Sequence, residues 1–145
     1  MTGQQPVLYR VNERIGRTSQ PLVQRQYHEL DLVSRVESAS PVALVSMLYD
    51  ELATAFNVTR SALANGRIET ANIQSDRAQS ILLSLIASLD LKNGGSLARE
   101  LGNVYHAMLS TVRRLDRTRD VRLLEELISG LANIRESWDA IAATE

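Results

Sequence analysis

From position 41 onward, apolar residues recur at steps of three and four, the spacing of amphipathic helices. Ser40-Pro41 reads as an N-cap followed by proline at the first helical position, where its missing N–H costs nothing. Leu44, Leu48, Leu52, Ala55, Thr59 and Ala62 then form one stripe, widened by Val45, Tyr49, Phe56 and Leu63. Asn65-Gly66 predicts a left-handed stop. A second helix is expected over 68–89, with Ala71, Ser75, Ala78, Leu82, Leu85 and Leu89 on its apolar face. Residues 90–95 read as a loop, with Ser96 capping a third helix that carries Leu97, Leu101, Val104, Met108, Val112 and Leu115. Asp120 is the expected cap of a fourth, with Leu124, Leu127, Leu131, Ile134, Trp138 and Ile141. Gly102 and Gly130 interrupt these patterns, each at about 1 kcal/mol relative to alanine.

Four such helices joined by short loops run alternately up and down. An all-α, antiparallel up-and-down four-helix bundle is the simplest way to bury every stripe. The three prolines fall at positions 6, 21 and 41, so nothing later in the chain carries a proline break. Residues 1–38 read as an N-terminal arm and residues 39–145 as the bundle. The first 20 positions read as disordered. After them Val23, Tyr27, Leu30 and Val33 make a weak amphipathic pattern, suited to a short helix or extended segment lying on the bundle and capping a groove.

The first helix is apolar over about 200° of its circumference, where about 100° is enough to face a core. Two readings stand. Either its flanks are covered by two neighbouring helices, or the surplus forms a groove for another amphipathic segment. Met47 and Met108 would suit an adaptable groove. Periodicity leaves both open.

Composition narrows the chemistry. A chain of 145 residues with 44% apolar and 23% charged residues is one globular domain. The formal net charge of −1 supplies no general field for nucleic acid or anionic membranes. With no cysteine and two histidines, thiolate sites, disulfides and histidine-rich metal centres drop out. The N-terminus lacks a secretory signal, and the apolar run at 81–87 is far short of the ~20 residues of a bilayer span, so a soluble, cytoplasmic protein without membrane insertion is expected. Di-iron bundles need Glu-x-x-His, but His28 and His106 follow Arg25 and Asn103 at that spacing. Gly94-Gly95-Ser96 lacks P-loop spacing, and His106 falls on an exposed face. Asp50-Glu51 diverge by about 100° on a helix and read as a solvated face. No catalytic residue, cofactor or metal site emerges. The cluster Arg113, Arg114, Arg117, Arg119 and Arg122 is interleaved with Asp116 and Asp120, and it reads as structural; a nucleic-acid bundle built on it would require steeply salt-dependent binding.

Several of these segments together resemble the flagellin-specific export chaperones, the FliS family. Ser38-Ala39-Ser40-Pro41, Leu44-Val45 and Met47-Leu48-Tyr49-Asp50 are similar to its first-helix signature. Ile81-Leu82 and residues 85–89 resemble its second helix, and Asn93-Gly94-Gly95 its Gly-Gly loop. Leu101, Val104-Tyr105, Met108 and Arg114-Leu115 resemble its third-helix motif, with Arg135 and Trp138 matching its last helix. The resemblance spans about residues 34–141. It implies a cytoplasmic helical bundle, without enzymatic activity or cofactor, that binds the disordered C-terminal segment of flagellin. Such a chaperone prevents premature polymerisation and delivers its client to the flagellar export gate. The resemblance further implies partner contacts at Met47, Leu48, Tyr49, Tyr105 and Met108, with Tyr27 and Leu30 as arm contacts. Of these, Leu48 and Met108 centre their stripes and are expected in the core. The oligomeric state is expected to be a monomer or weak homodimer. Three features depart from the family pattern: the arm is longer than usual, and two motifs differ. Glu51 stands where glycine is usual, and Val104-Tyr105-His106-Ala107-Met108 replaces Leu-Tyr-Asp-Tyr-Met. A helical adaptor or secretion chaperone with a non-flagellin client is the alternative.

Overall fold

The computed structural model describes residues 8, 9 and 40–143. Four helices follow in order: α1 Pro41–Ala64, α2 Ile68–Ser88, α3 Leu91–Thr118 and α4 Arg122–Ala142. α1 packs against α2 and α4, α2 also packs against α3, and α3 closes the ring on α4. This is the expected up-and-down bundle. The only bridge among the described residues joins Tyr9 to Leu89 in antiparallel sense.

The helix ends follow local chemistry. The Ser40 side chain accepts from the Ala43 N–H at 3.1 Å, with Pro41 opening the first turn. At the other end Asn65 keeps a negative φ of −107°, and Gly66 takes the left-handed turn at φ +73°. The α2–α3 corner differs from expectation. Residues 91–94 are a helical turn rather than a loop, because the Asp90 carboxylate accepts from the Asn93 N–H at 3.1 Å. Gly95, at φ 60° and ψ −143°, then breaks the helix before it resumes. The corner therefore turns in two steps, and the capping residue is Asp90 rather than Ser96. At α4 the expected cap is displaced by one residue: Val121 holds the N-cap position without a side-chain bond, and the Asp120 carboxylate before it accepts from the Arg122 N–H at 3.0 Å.

Burial confirms the α2 stripe: Ala71, Ser75, Ala78, Leu82, Leu85 and Leu89 are all buried. On α1 the buried line is Val45, Tyr49, Leu52, Ala55, Phe56, Thr59 and Ala62, while Leu44 and Leu48 are half-buried. The core line is thus rotated toward Tyr49, because α1 is covered from two sides by α2 and α4. The first half of α3 shows a similar shift. Ala98, Gly102 and Tyr105 face inward, while Leu97 and Leu101 are half-buried and Val104 is 38% exposed. Small residues let this end of α3 approach α2: a Cβ on Gly102 would sit 3.3 Å from Leu89 Cδ1. Two leucines at the same positions would hold the helices apart, so close packing outweighs the burial of the larger side chains.

Candidate functional site

The described residues contain two distinctive regions. The first is an aromatic cluster that ties the arm to the bundle. Asp90 donates its N–H to the Leu8 carbonyl at 2.6 Å, beside the Tyr9–Leu89 bridge. Leu89 is extended there, at φ −64° and ψ 139°, because α2 has just ended; it offers a short strand edge to the arm. Tyr9 then enters the core, only 6% exposed, with Leu8 beside it at 4%. Both fall in the stretch expected to be disordered, and for these two residues that expectation is corrected.

Inside, the Tyr105 hydroxyl is hydrogen-bonded to both the Tyr9 and Tyr49 hydroxyls, the latter at 2.5 Å. Trp138 packs edge-on against Tyr9 at 5.8 Å and against Tyr49 at 6.1 Å. Its indole N–H donates to the Val42 carbonyl at 3.2 Å, using an α1 acceptor near the helix start. Burial pushes all three phenols well above their ordinary pKa, and neighbouring phenols add to the effect. They remain neutral hydroxyls throughout the physiological range. Each buried hydroxyl has a partner, and that offsets its desolvation.

Ion pairs join α1 to its neighbours beside this cluster. Arg135 on α4 pairs with Asp50, and Arg77 on α2 pairs with Glu51 at 2.7 Å. The adjacent acids expected to form a solvated face therefore reach in two directions, to opposite neighbours. Glu51, in the position where the family usually has glycine, spends its charge on α2, and its side chain is only 16% exposed.

The second region is the outer surface of α2 and α3. Ile68, Ile73 and Leu83 on α2 are substantially exposed, as are Leu91 and Val104 on α3. His106 is exposed, as expected. Asp116 turns inward to accept from Ser75 Oγ at 2.6 Å and Gln79 Nε2 at 2.9 Å. Arg119 donates to Asn72 at 2.8 Å and Arg122 pairs with Asp120 at 3.1 Å. Among the described residues no group of three or more His, Cys, Asp or Glu could hold a metal, and no helix is long and apolar enough to cross a membrane.

The expected contact residues fall into three sets. Tyr49, Tyr105 and Met108 are core residues, at 1%, 0% and 6% exposure. Met47 and Leu48 are half-buried on α1. Tyr27 and Leu30 lie outside the described residues. Leu48 was expected to be as deep as Met108 and is not, for the rotation of α1 already described. Leu8 and Tyr9 were missed, because two apolar residues in a polar arm carry no periodic signal.

Residues 23–145 match the model of a family described as flagellar protein FliS. The chain belongs to the FliS family. Three relatives show the range of its members. The flagellar secretion chaperone FliS of Salmonella typhimurium is 30% identical over 119 residues, covering 81% of this chain and 88% of that protein. The flagellar secretion chaperone FliS of Vibrio cholerae is 25% identical over 115 residues, covering 79% and 85%. The flagellar secretion chaperone FliSB of Pseudomonas aeruginosa is 26% identical over 118 residues, covering 81% and 94%. Leu8 and Tyr9 precede the residues matched by the FliS family model, whereas Tyr49, Tyr105 and Trp138 lie within them.

Proposed function

We propose that this protein is a cytoplasmic, non-enzymatic flagellar export chaperone. It binds the C-terminal segment of flagellin while that segment is disordered, prevents premature polymerisation and presents the client to the export gate. The observation that carries this reading is the family match across residues 23–145. The exposed aliphatic side chains Ile73 and Leu83 support it, because they leave apolar surface outside a bundle whose core is already filled.

Binding would draw on apolar burial at about 25 cal/mol per Å², offset by the entropy of ordering the client. Met47 and Leu48 offer partly open surface on α1. Tyr49, Tyr105 and Met108 become reachable only after local rearrangement, and departure of Leu8 and Tyr9 would uncover the first two. An arm that docks there competes with any client using that surface and lowers its affinity by the docked fraction. Tyr27 and Leu30 are assigned to the same arm.

The test is calorimetric titration of the full chain with the C-terminal segment of flagellin from the same genome. Saturable one-to-one binding with a negative heat-capacity change is expected. No heat and no co-elution at micromolar concentrations, with the full chain and with a chain lacking residues 1–38, would overturn the flagellin assignment.

A further inference from the structure

Two asparagines of this chain precede glycine, Asn65 and Asn93. In that dipeptide the asparagine side chain is open to attack by the next backbone nitrogen, because glycine has no Cβ to shield it and lets the backbone swing. The other described asparagines, Asn57, Asn72, Asn103 and Asn133, each precede valine or isoleucine, whose branched side chains crowd that nitrogen. The two Asn-Gly pairs stand at opposite ends of the bundle, Asn65 at the α1–α2 corner and Asn93 at the α2–α3 corner.

The fold treats the two pairs differently. Gly66 is exposed at φ +73°, and a Cβ built on it would meet nothing within 4 Å. Its N–H reaches the Leu63 carbonyl only at 3.3 Å, beyond the usual hydrogen-bond range. The Asn65 amide donates to the Ser61 carbonyl at 2.8 Å, and the Arg67 N–H closes the turn on the Ala62 carbonyl at 2.8 Å. These bonds belong to the last turn of α1, where fraying is cheapest. Asn93 is held by a single residue through three bonds. Its N–H and its amide donate to the two Asp90 carboxylate oxygens at 3.1 and 2.9 Å, and the Gly94 N–H donates to the Asp90 carbonyl at 2.7 Å. Gly94 is buried, and the Asp90 N–H holds the Leu8 carbonyl, so opening this turn also loosens the arm. Charge acts in the same direction. The Asp90 carboxylate opposes loss of the Gly94 proton, whereas the charged residue nearest to Asn65 in the chain is Arg67.

We propose that Asn65 is a site of spontaneous deamidation and that the fold protects Asn93 from the same reaction. When the last turn of α1 frays, ψ of Asn65 leaves its native 12° and brings the Gly66 nitrogen to the side chain. That nitrogen passes its proton to hydroxide and attacks Asn65 Cγ. The N–Cγ bond forms, the Cγ–Nδ2 bond breaks, and the amide nitrogen takes a proton from water and leaves as ammonia. Water then opens the cyclic succinimide at either carbonyl, so one water is consumed and one ammonia released. The products are aspartate or isoaspartate in place of Asn65. Either one adds a carboxylate at the negative end of the α1 dipole. The isoaspartate also lengthens the backbone before Gly66 and displaces the Arg67–Ala62 bond. Leu8 and Tyr9 dock at the other end of the bundle, so the modification leaves the arm site intact. The inference is independent of the chaperone reading.

The test incubates the full chain in mildly alkaline buffer at 37 °C and maps its peptides by mass spectrometry, with isoaspartate labelled by an isoaspartyl methyltransferase. Conversion at Asn65 should run at least about tenfold faster than at Asn93, because the end of α1 opens locally at lower cost. In denaturant the two rates should converge, since both residues are then unconstrained Asn-Gly pairs. Asp90→Ala should speed conversion at Asn93 and leave Asn65 unchanged, with thermal melts reporting that the variant is folded. Asn65→Asp, which installs one product directly, should lower the melting temperature by about 2 °C. Conversion at Asn93 as fast as at Asn65 in the folded chain would overturn the inference. So would an unchanged ratio in denaturant, which would place the difference in the flanking sequence rather than in the fold. A folded Asp90→Ala chain with no faster conversion at Asn93 would overturn the protection assigned to Asp90.

Discussion

The aromatic end of the bundle and its α2–α3 face spend their polar groups in opposite ways. At the aromatic end, Tyr9, Tyr49 and Tyr105 withdraw three hydroxyls from water and satisfy them with one another, and Trp138 gives its N–H to a backbone carbonyl. On the α2–α3 face, Arg99, Arg113 and Arg117 remain in solvent beside an exposed Leu83. The first arrangement makes any single loss expensive, because a buried orphan hydroxyl cannot recruit bulk water. The second makes single losses cheap for stability and leaves surface for a partner. Buried, mutually satisfied polar groups and solvent-exposed charges therefore reside on different faces of a small bundle.

The largest effect that would break this contrast is at Trp138. Trp138→Ala removes the ring packed on Tyr9 and Tyr49 and should cost about 4 kcal/mol in chemical denaturation. A loss below about 1 kcal/mol would mean the cluster is not a unit. Removing residues 1–38 takes Leu8 and Tyr9 out of the core and should lower stability by about 3 kcal/mol. Far-UV circular dichroism should still report a helical bundle, since all four helices begin after the cut. A truncated chain that is unfolded at 25 °C would show that the arm is part of the folding unit.

Tyr105→Phe leaves the Tyr9 and Tyr49 hydroxyls without their shared partner and should cost about 2 kcal/mol, more than Tyr9→Phe or Tyr49→Phe. The same cluster gives the protein an alkaline limit. The folded phenols are held neutral by burial, so their pKa values are raised. Unfolded tyrosines ionise near pH 10 and release protons that the native state retains, so stability is intact below about pH 10 and falls above it. Melting temperature followed from pH 8 to pH 11 checks the sign, and the decline should be shallower in Tyr105→Phe.

Smaller effects sharpen the comparison. A Cβ at Gly130 meets Met108 Cε at 3.5 Å, an ordinary contact, so Gly130→Ala should stabilise by up to about 1 kcal/mol through helix propensity. Arg113→Ala should leave stability within about 0.5 kcal/mol, as expected for an exposed cation with no ion pair among the described residues. A clear destabilisation there would mean that this arginine belongs to the fold.

Much of the architecture is legible in local patterns. Ser40-Pro41 caps α1 where the sequence places it, and the α2 stripe needs no correction. Asp50 and Arg135 each match a family position, yet only the fold makes them partners, across 85 positions of sequence. The expected contact residues are harder to read. A tyrosine on the flank of a stripe is indistinguishable by periodicity from one facing solvent, and Tyr49 proves to be core.

The sequence by itself determined the four helices of the described residues, their order, the Ser40 cap and the family, because each depends on residues within a few positions of one another. Tertiary structure decided which flank of each broad stripe turns inward. Ala98 and Gly102 draw α3 against α2 and leave Val104 outside, a choice set by how closely two helices can approach. It also decided that Leu8 and Tyr9 enter the core. Their partners at Leu89 and Tyr105 are distant in the chain, and only the extended backbone at the α2–α3 corner gives them an edge to join.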